Sequence, residues 1–104
     1  MRWMETIKVQ SATGKEHTTE RELMVLAREV QKNLDRQGLR EFTVSSHAFV
    51  PGCYALRLFW DTDDPKPRGS LLGMSLAQSL KIFGLADHSV WIETGNKEGG
   101  ENNV

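Results

Sequence analysis

The sequence predicts one α+β domain built in the order strand, helix, strand, strand, helix, strand. Three observations carry that expectation. Two segments place apolar residues at helical spacing, four short segments alternate apolar with polar residues, and polar stretches holding Gly or Pro separate most of them. Strands in this order form one four-stranded antiparallel sheet with both helices on one face, the split βαβ or ferredoxin-like two-layer arrangement. The length of 104 residues suits a single domain. A chain of this size buries roughly 60–70% of the surface its unfolded form exposes, enough for one core without metals or disulfides.

Residues 4–11 read as the first strand, with Ile7 and Val9 inward and Thr6, Lys8 and Gln10 outward. Residues 12–17 form a polar loop. Thr19 and Glu22 fit a capping box at the start of the first helix. Leu23, Leu26, Ala27, Val30 and Leu34 make its apolar stripe, and Gly38 is placed to stop it in a left-handed conformation.

Residues 42–49 and 53–60 read as a hairpin joined through Val50, Pro51 and Gly52. A two-residue turn would put Phe42 and Val44 on the opposite face from Leu56, Leu58 and Trp60. A three-residue connection pairs Val44 with Leu58 and Cys53 with Phe49, and keeps the apolar sets together. Pro-Gly also favours a turn that splays strands, so a longer or bulged hairpin is expected.

Residues 61–69 form an acidic loop. Ser70 caps a second helix over residues 71–83, with Leu72, Leu76, Leu80 and Phe83 in its stripe. Gly73 weakens that helix or admits a close approach, and Gly84 ends it. Residues 89–94 form the last strand, with Val90 and Ile92 inward and His88 in the loop before it. Residues 1–95 make the domain, and the polar residues 96–104 make a disordered tail.

Composition narrows the function classes. The formal net charge is −1, from 13 Lys and Arg against 14 Asp and Glu, so there is no bulk attraction to nucleic acid or to an anionic membrane. One cysteine, Cys53, permits no internal disulfide. The chain opens Met-Arg-Trp-Met-Glu-Thr, without an apolar signal segment, and no run nears the ~20 apolar residues of a membrane span. A cytoplasmic location is the default expectation.

The open sheet face is the most informative surface. Parity places Thr6, Lys8, Gln10, Thr43, Ser45, His47, Ala55, Arg57, Phe59, Trp91 and Glu93 on it. Phe59, Trp91 and Arg57 belong to the residue types enriched in interface cores, and Glu93 with Arg57 can set register. The same aromatics suit base stacking, but Lys8 and Arg57 are the only cations beside them.

Local constellations are weaker. Lys66, Arg68, Gly69 and Ser70 lead into a helix N-terminus and suggest an anion site, without the P-loop pattern. Asp61, Asp63 and Asp64 lack the glycine and glutamate of an EF-hand, so no metal is expected there. Cys53 and His47 lie apart along the hairpin, and no catalytic pair is assigned. His17 is expected to face solvent. Trp3 and Trp60 point inward as core residues. No dinucleotide fingerprint, Cys-x-x-Cys or zinc motif occurs, and no cofactor is expected.

These readings rank a non-enzymatic assembly module first, forming a homodimer or holding a partner protein through Arg57, Phe59, Trp91, His47 and Glu93. A small-molecule binder or small enzyme ranks second, with a pocket between paired sheets lined by His47, Arg57 and Trp91. Nucleic-acid binding ranks third.

Overall fold

The computed structural model describes residues 1–95, so the expected tail at 96–104 lies outside the described residues. The elements are β1 (Arg2–Ser11), α1 (Glu16–Lys32), β2 (Leu39–Ser46), β3 (Cys53–Asp61), α2 (Leu71–Leu80) and β4 (Gly84–Ile92). The strands lie in the order β2-β3-β1-β4 and every neighbouring pair is antiparallel. This is the βαββαβ ferredoxin-like sandwich that the pattern predicts. β1 is a central strand, and Trp3, Glu5, Ile7, Val9 and Ser11 alternate onto its buried, helix-covered face. They meet Leu56, Leu58 and Trp60 of β3, Leu23, Leu26 and Val30 of α1, and Leu76, Ala77 and Leu80 of α2.

Several local expectations are corrected. α1 starts at Glu16, and Thr19 lies inside it, fully buried, with its hydroxyl donating to the Lys15 carbonyl at 2.8 Å. The capping box does not form because Thr19, one turn before Leu23, is itself buried and extends the inward stripe one turn backwards. The helix also ends at Lys32, before Gly38. Asp35 (φ 64°) and Gln37 (φ 55°) already turn the chain into the left-handed region, and Gly38 (φ 94°) carries it into β2.

The hairpin is longer, as expected, but its register is Val44↔Leu56 and Phe42↔Leu58. The His47 amide donates to the Cys53 carbonyl, so Cys53 faces His47 rather than Phe49. The loop comprises residues 48–52, and His47 Nδ1 holds it by accepting from the Phe49 and Val50 amides, both at 3.0 Å. A shift of two residues preserves parity, so the apolar sets still share one face.

α2 stops at Leu80 and β4 begins at Gly84, where it pairs with Ser11 of β1. His88 is therefore a mid-strand residue opposite Ile7 on the helix-covered face. Val90 packs against the core, whereas Ile92, opposite Trp3 and expected inward, is exposed.

Candidate functional site

β1 carries an acidic residue into the core. Glu5 lies between Leu58 of β3 and Val90 of β4 and is 0% exposed. A buried carboxylate is costly unless its lone pairs are filled, and here four groups converge on it. Oε2 accepts from Trp60 Nε1 at 2.8 Å and from the Ser70 hydroxyl at 2.5 Å. Oε1 accepts from the Ser70 amide at 3.1 Å and faces His88 Nε2 at 2.7 Å, an ion pair when His88 is protonated.

Two glycines make this approach possible. A Cβ on Gly73 would run into the Glu5 carboxylate, and one on Gly69 (φ 103°) would run into His88 and Glu5. The start of α2 thus closes directly over the carboxylate. Ser70 completes it as N-cap, its hydroxyl oxygen accepting the Gly73 amide at 2.9 Å.

Trp60 connects this cluster to an aromatic wall. Trp3 and Trp60 stack with ring centroids 5.4 Å apart and an interplanar angle of 13°. Trp3 Nε1 donates to Thr62 Oγ1 at 2.8 Å. Beside the pair lies a cavity of about 560 Å³. Trp3, Trp60, Leu71, Leu72 and Met74 give it apolar walls, with Thr62 and Ser70 among them. Asn33, Arg36, Gln37, Asp64 and Lys66 give it polar groups. Among the described residues, Gln37 is one of two non-glycine residues with left-handed backbone, so the turn after α1 holds a sparsely populated conformation next to this cavity. On the other side of Glu5, the His88 ring borders a groove of about 330 Å³ with Ala77, Lys81 and Asp87.

The residues expected on the open face divide. Trp91 of β4, Met4 of β1 and Phe59 of β3 form one cross-strand row. Trp91 is 60% exposed and its Nε1 donates to Ser89 Oγ at 2.9 Å. Glu93 lies just beyond β4, pairs with Arg2 at 3.3 Å, and joins Phe59 and Trp91 around a depression of about 310 Å³. Arg57 occupies the next row, between Thr6 and Thr43. His47 is separate from them, at the edge of the hairpin loop, with its Nδ1 accepting from the loop amides of Phe49 and Val50.

At the expected anion site, the chain supplies its own carboxylate. The Ser70 amide and hydroxyl are both engaged by Glu5, and Lys66 pairs with Asp64 at 2.5 Å. Asp61 meets the Met1 ammonium at 3.2 Å. Among the described residues, no group of three or more His, Cys, Asp or Glu is arranged to hold a metal ion. Cys53 is a half-buried free thiol, His17 is exposed, and among the described residues no helix is long and apolar enough to cross a membrane.

Sequence reasoning missed Glu5 and His88. The signal for Glu5 was present: Trp3, Glu5, Ile7 and Val9 share one parity, which puts a carboxylate on the covered face. His88 was hidden because Ala86 and Asp87 weaken the strand pattern ahead of it.

No protein-family model matches the chain, and no curated protein matches it in sequence. Solved structures do match its fold. A variant of SnoaB from Streptomyces nogalater, described as a cofactor-independent oxygenase, superposes with a TM-score of 0.67 at 12% identity, covering 91% of this chain and 95% of that one. Rv0793 from Mycobacterium tuberculosis gives 0.64 at 13% identity, over 92% and 98%. A protein described as an antibiotic biosynthesis monooxygenase gives 0.60 at 8% identity, over 90% and 98%. The likeness at these identities is one of fold: the chain has the ferredoxin-like architecture that these proteins share.

Proposed function

We propose that this protein binds a small, planar, largely apolar molecule in the cavity beside the Trp3–Trp60 stack. The observation that carries the reading is the cavity itself. Its 560 Å³ falls inside the roughly 300–1,000 Å³ typical of ligand sites, and it combines aromatic and aliphatic walls with a few placed polar groups. The Glu5 cluster behind it is rigid, because each carboxylate oxygen is held by two partners. A fold shared with proteins described as oxygenases is consistent with small-molecule chemistry, although fold alone does not fix function.

Tryptophan fluorescence tests the reading, since two of the three tryptophans line the cavity. Naphthalene-type probes are expected to change the emission saturably. Leu71 borders the cavity and is 84% exposed, so Leu71→Trp narrows the space without touching the core. It is expected to weaken binding at least tenfold, a loss of about 1.4 kcal/mol. Ile82→Ser, at an exposed position away from the cavity, serves as the control. Equal binding by wild type and Leu71→Trp would remove the cavity as the site.

A second reading has its own observation. Trp91 is exposed in a row with Met4 and Phe59 on the uncovered face, and such patches mark contacts. This favours association of two copies or of a partner protein there. Solution mass by light scattering tests the homodimer, with Trp91→Ser expected to split it into folded monomers.

A further inference from the structure

We infer that the cavity selects ligands carrying a hydroxyl or N–H group, because Ser70 offers them a hydrogen-bond acceptor and no donor. The inference rests on the small-molecule reading above and deepens it. A serine hydroxyl has one proton and two lone pairs. The Ser70 proton goes to Glu5 Oε2 at 2.5 Å. One lone pair receives the Gly73 amide at 2.9 Å. One lone pair remains, on a residue that lines the cavity.

The direction of this bond is locked. If Ser70 turned its proton towards a ligand, a fully buried carboxylate oxygen would lose a charge-assisted donor, a costly exchange. Gly69 and Gly73 lack the side chains that would push the start of α2 away from Glu5, so the contact stays short. The fully buried Glu5 therefore acts as a positioning residue that sets the polarity of Ser70.

Thr62 has the opposite polarity. Its hydroxyl oxygen accepts from Trp3 Nε1 at 2.8 Å and from the Asp64 amide at 3.3 Å. Both lone pairs are occupied and only its proton is left to offer. The walls thus present an acceptor at Ser70, next to Trp60 through Glu5, and a donor at Thr62, next to Trp3. The ligand class that satisfies both is a planar apolar body with an O–H or N–H group for Ser70 and a carbonyl oxygen or ring nitrogen for Thr62. An arene or aryl ether fills the volume but leaves the Ser70 lone pair unmet.

Equilibrium dialysis with three probes of similar shape tests this: 2-naphthol, 2-methoxynaphthalene and naphthalene. The wild-type protein is expected to bind 2-naphthol about tenfold more tightly than 2-methoxynaphthalene, the usual scale of one hydrogen bond in a desolvated site. Ser70→Thr keeps the hydroxyl and the cap and is expected to keep the preference. Ser70→Ala is expected to lose it while still binding naphthalene, with circular dichroism verifying the fold. Equal affinity for all three probes in the wild type overturns the inference and leaves the cavity reading standing. A preference that survives in folded Ser70→Ala also overturns it. Binding of none of the probes removes the cavity reading, and the inference with it.

Discussion

At the scale of single residues, Glu5 is the group on which most else depends. Its two oxygens meet Trp60, Ser70 twice, and His88. Glu5→Gln replaces one acceptor oxygen by an NH₂ that faces two partners whichever way the amide turns. Leaving buried donors unmatched costs about 1–3 kcal/mol each, so urea unfolding is expected to show a loss of about 3 kcal/mol. His88→Gln keeps a donor near Oε1 at a partly exposed position, and a loss of about 1 kcal/mol is expected.

Tyr54 gives a residue-scale prediction in pH. Partial burial raises its phenol above the ordinary value of 10.0, and the Glu20 carboxylate, by charge and by accepting its O–H at 3.5 Å, adds to the rise, with Glu16 contributing last. The unfolded phenol ionises first as pH rises. The stabilising difference is therefore intact below about pH 10 and is lost as pH climbs through the folded value. Tyr54 is the only tyrosine, so an ultraviolet titration reads it directly. Glu20→Gln is expected to move the midpoint down.

At the scale of elements, tertiary burial overrides local signals in identifiable places. Thr19 looks like a cap and is instead an inward residue of α1. An N-cap tolerates Asp, whereas a fully buried helix position does not. Thr19→Asp is expected to cost more than 3 kcal/mol in urea unfolding, while Thr19→Val, nearly equal in volume, costs about 1 kcal/mol. Gly73 gives the reverse case. Helix propensity alone predicts that Gly73→Ala stabilises α2 by about 1 kcal/mol. The Glu5 carboxylate occupies the space of the new methyl, so a net loss of about 2 kcal/mol is expected from overpacking.

These cases show where the sequence was legible. Period-2 and period-3.6 patterns are set by burial on one side of each element, and they located all six elements and their order. Parity also survived the hairpin error, because Phe42 and Val44 must face Leu56 and Leu58 under any even shift. Ends depend on contacts distant in sequence, such as Thr19 against the core or Gly84 against Ser11. The candidate cavity was invisible for the same reason. It joins β1, β3, the turn after α1 and the start of α2, which only the fold brings together. Glu5 carried a readable signal, a charge at inward parity, but the sequence reading passed over it.

At the scale of the whole molecule, the sandwich has two faces with separate capacities. The covered face holds the Trp3–Trp60 cavity; the uncovered face shows Trp91 in a row with Met4 and Phe59. Thermal unfolding separates them, because both kinds of binding stabilise the folded state by mass action but depend on different concentrations. A ligand of the cavity at a hundredfold excess over its Kd adds about 2.7 kcal/mol, which for a domain of this size raises Tm by roughly 10 °C or more. In Trp91→Ser, that rise should persist and should not vary with protein concentration. Pairing through the open face makes Tm climb with protein concentration in the absence of ligand, and Trp91→Ser should flatten that dependence. A wild-type Tm constant over a hundredfold range of protein concentration would exclude the homodimer. A cavity probe that fails to move Tm at saturating concentration would exclude binding of that probe to the folded state, and the pairing proposed at the Trp91 row would then stand or fall on its own concentration dependence.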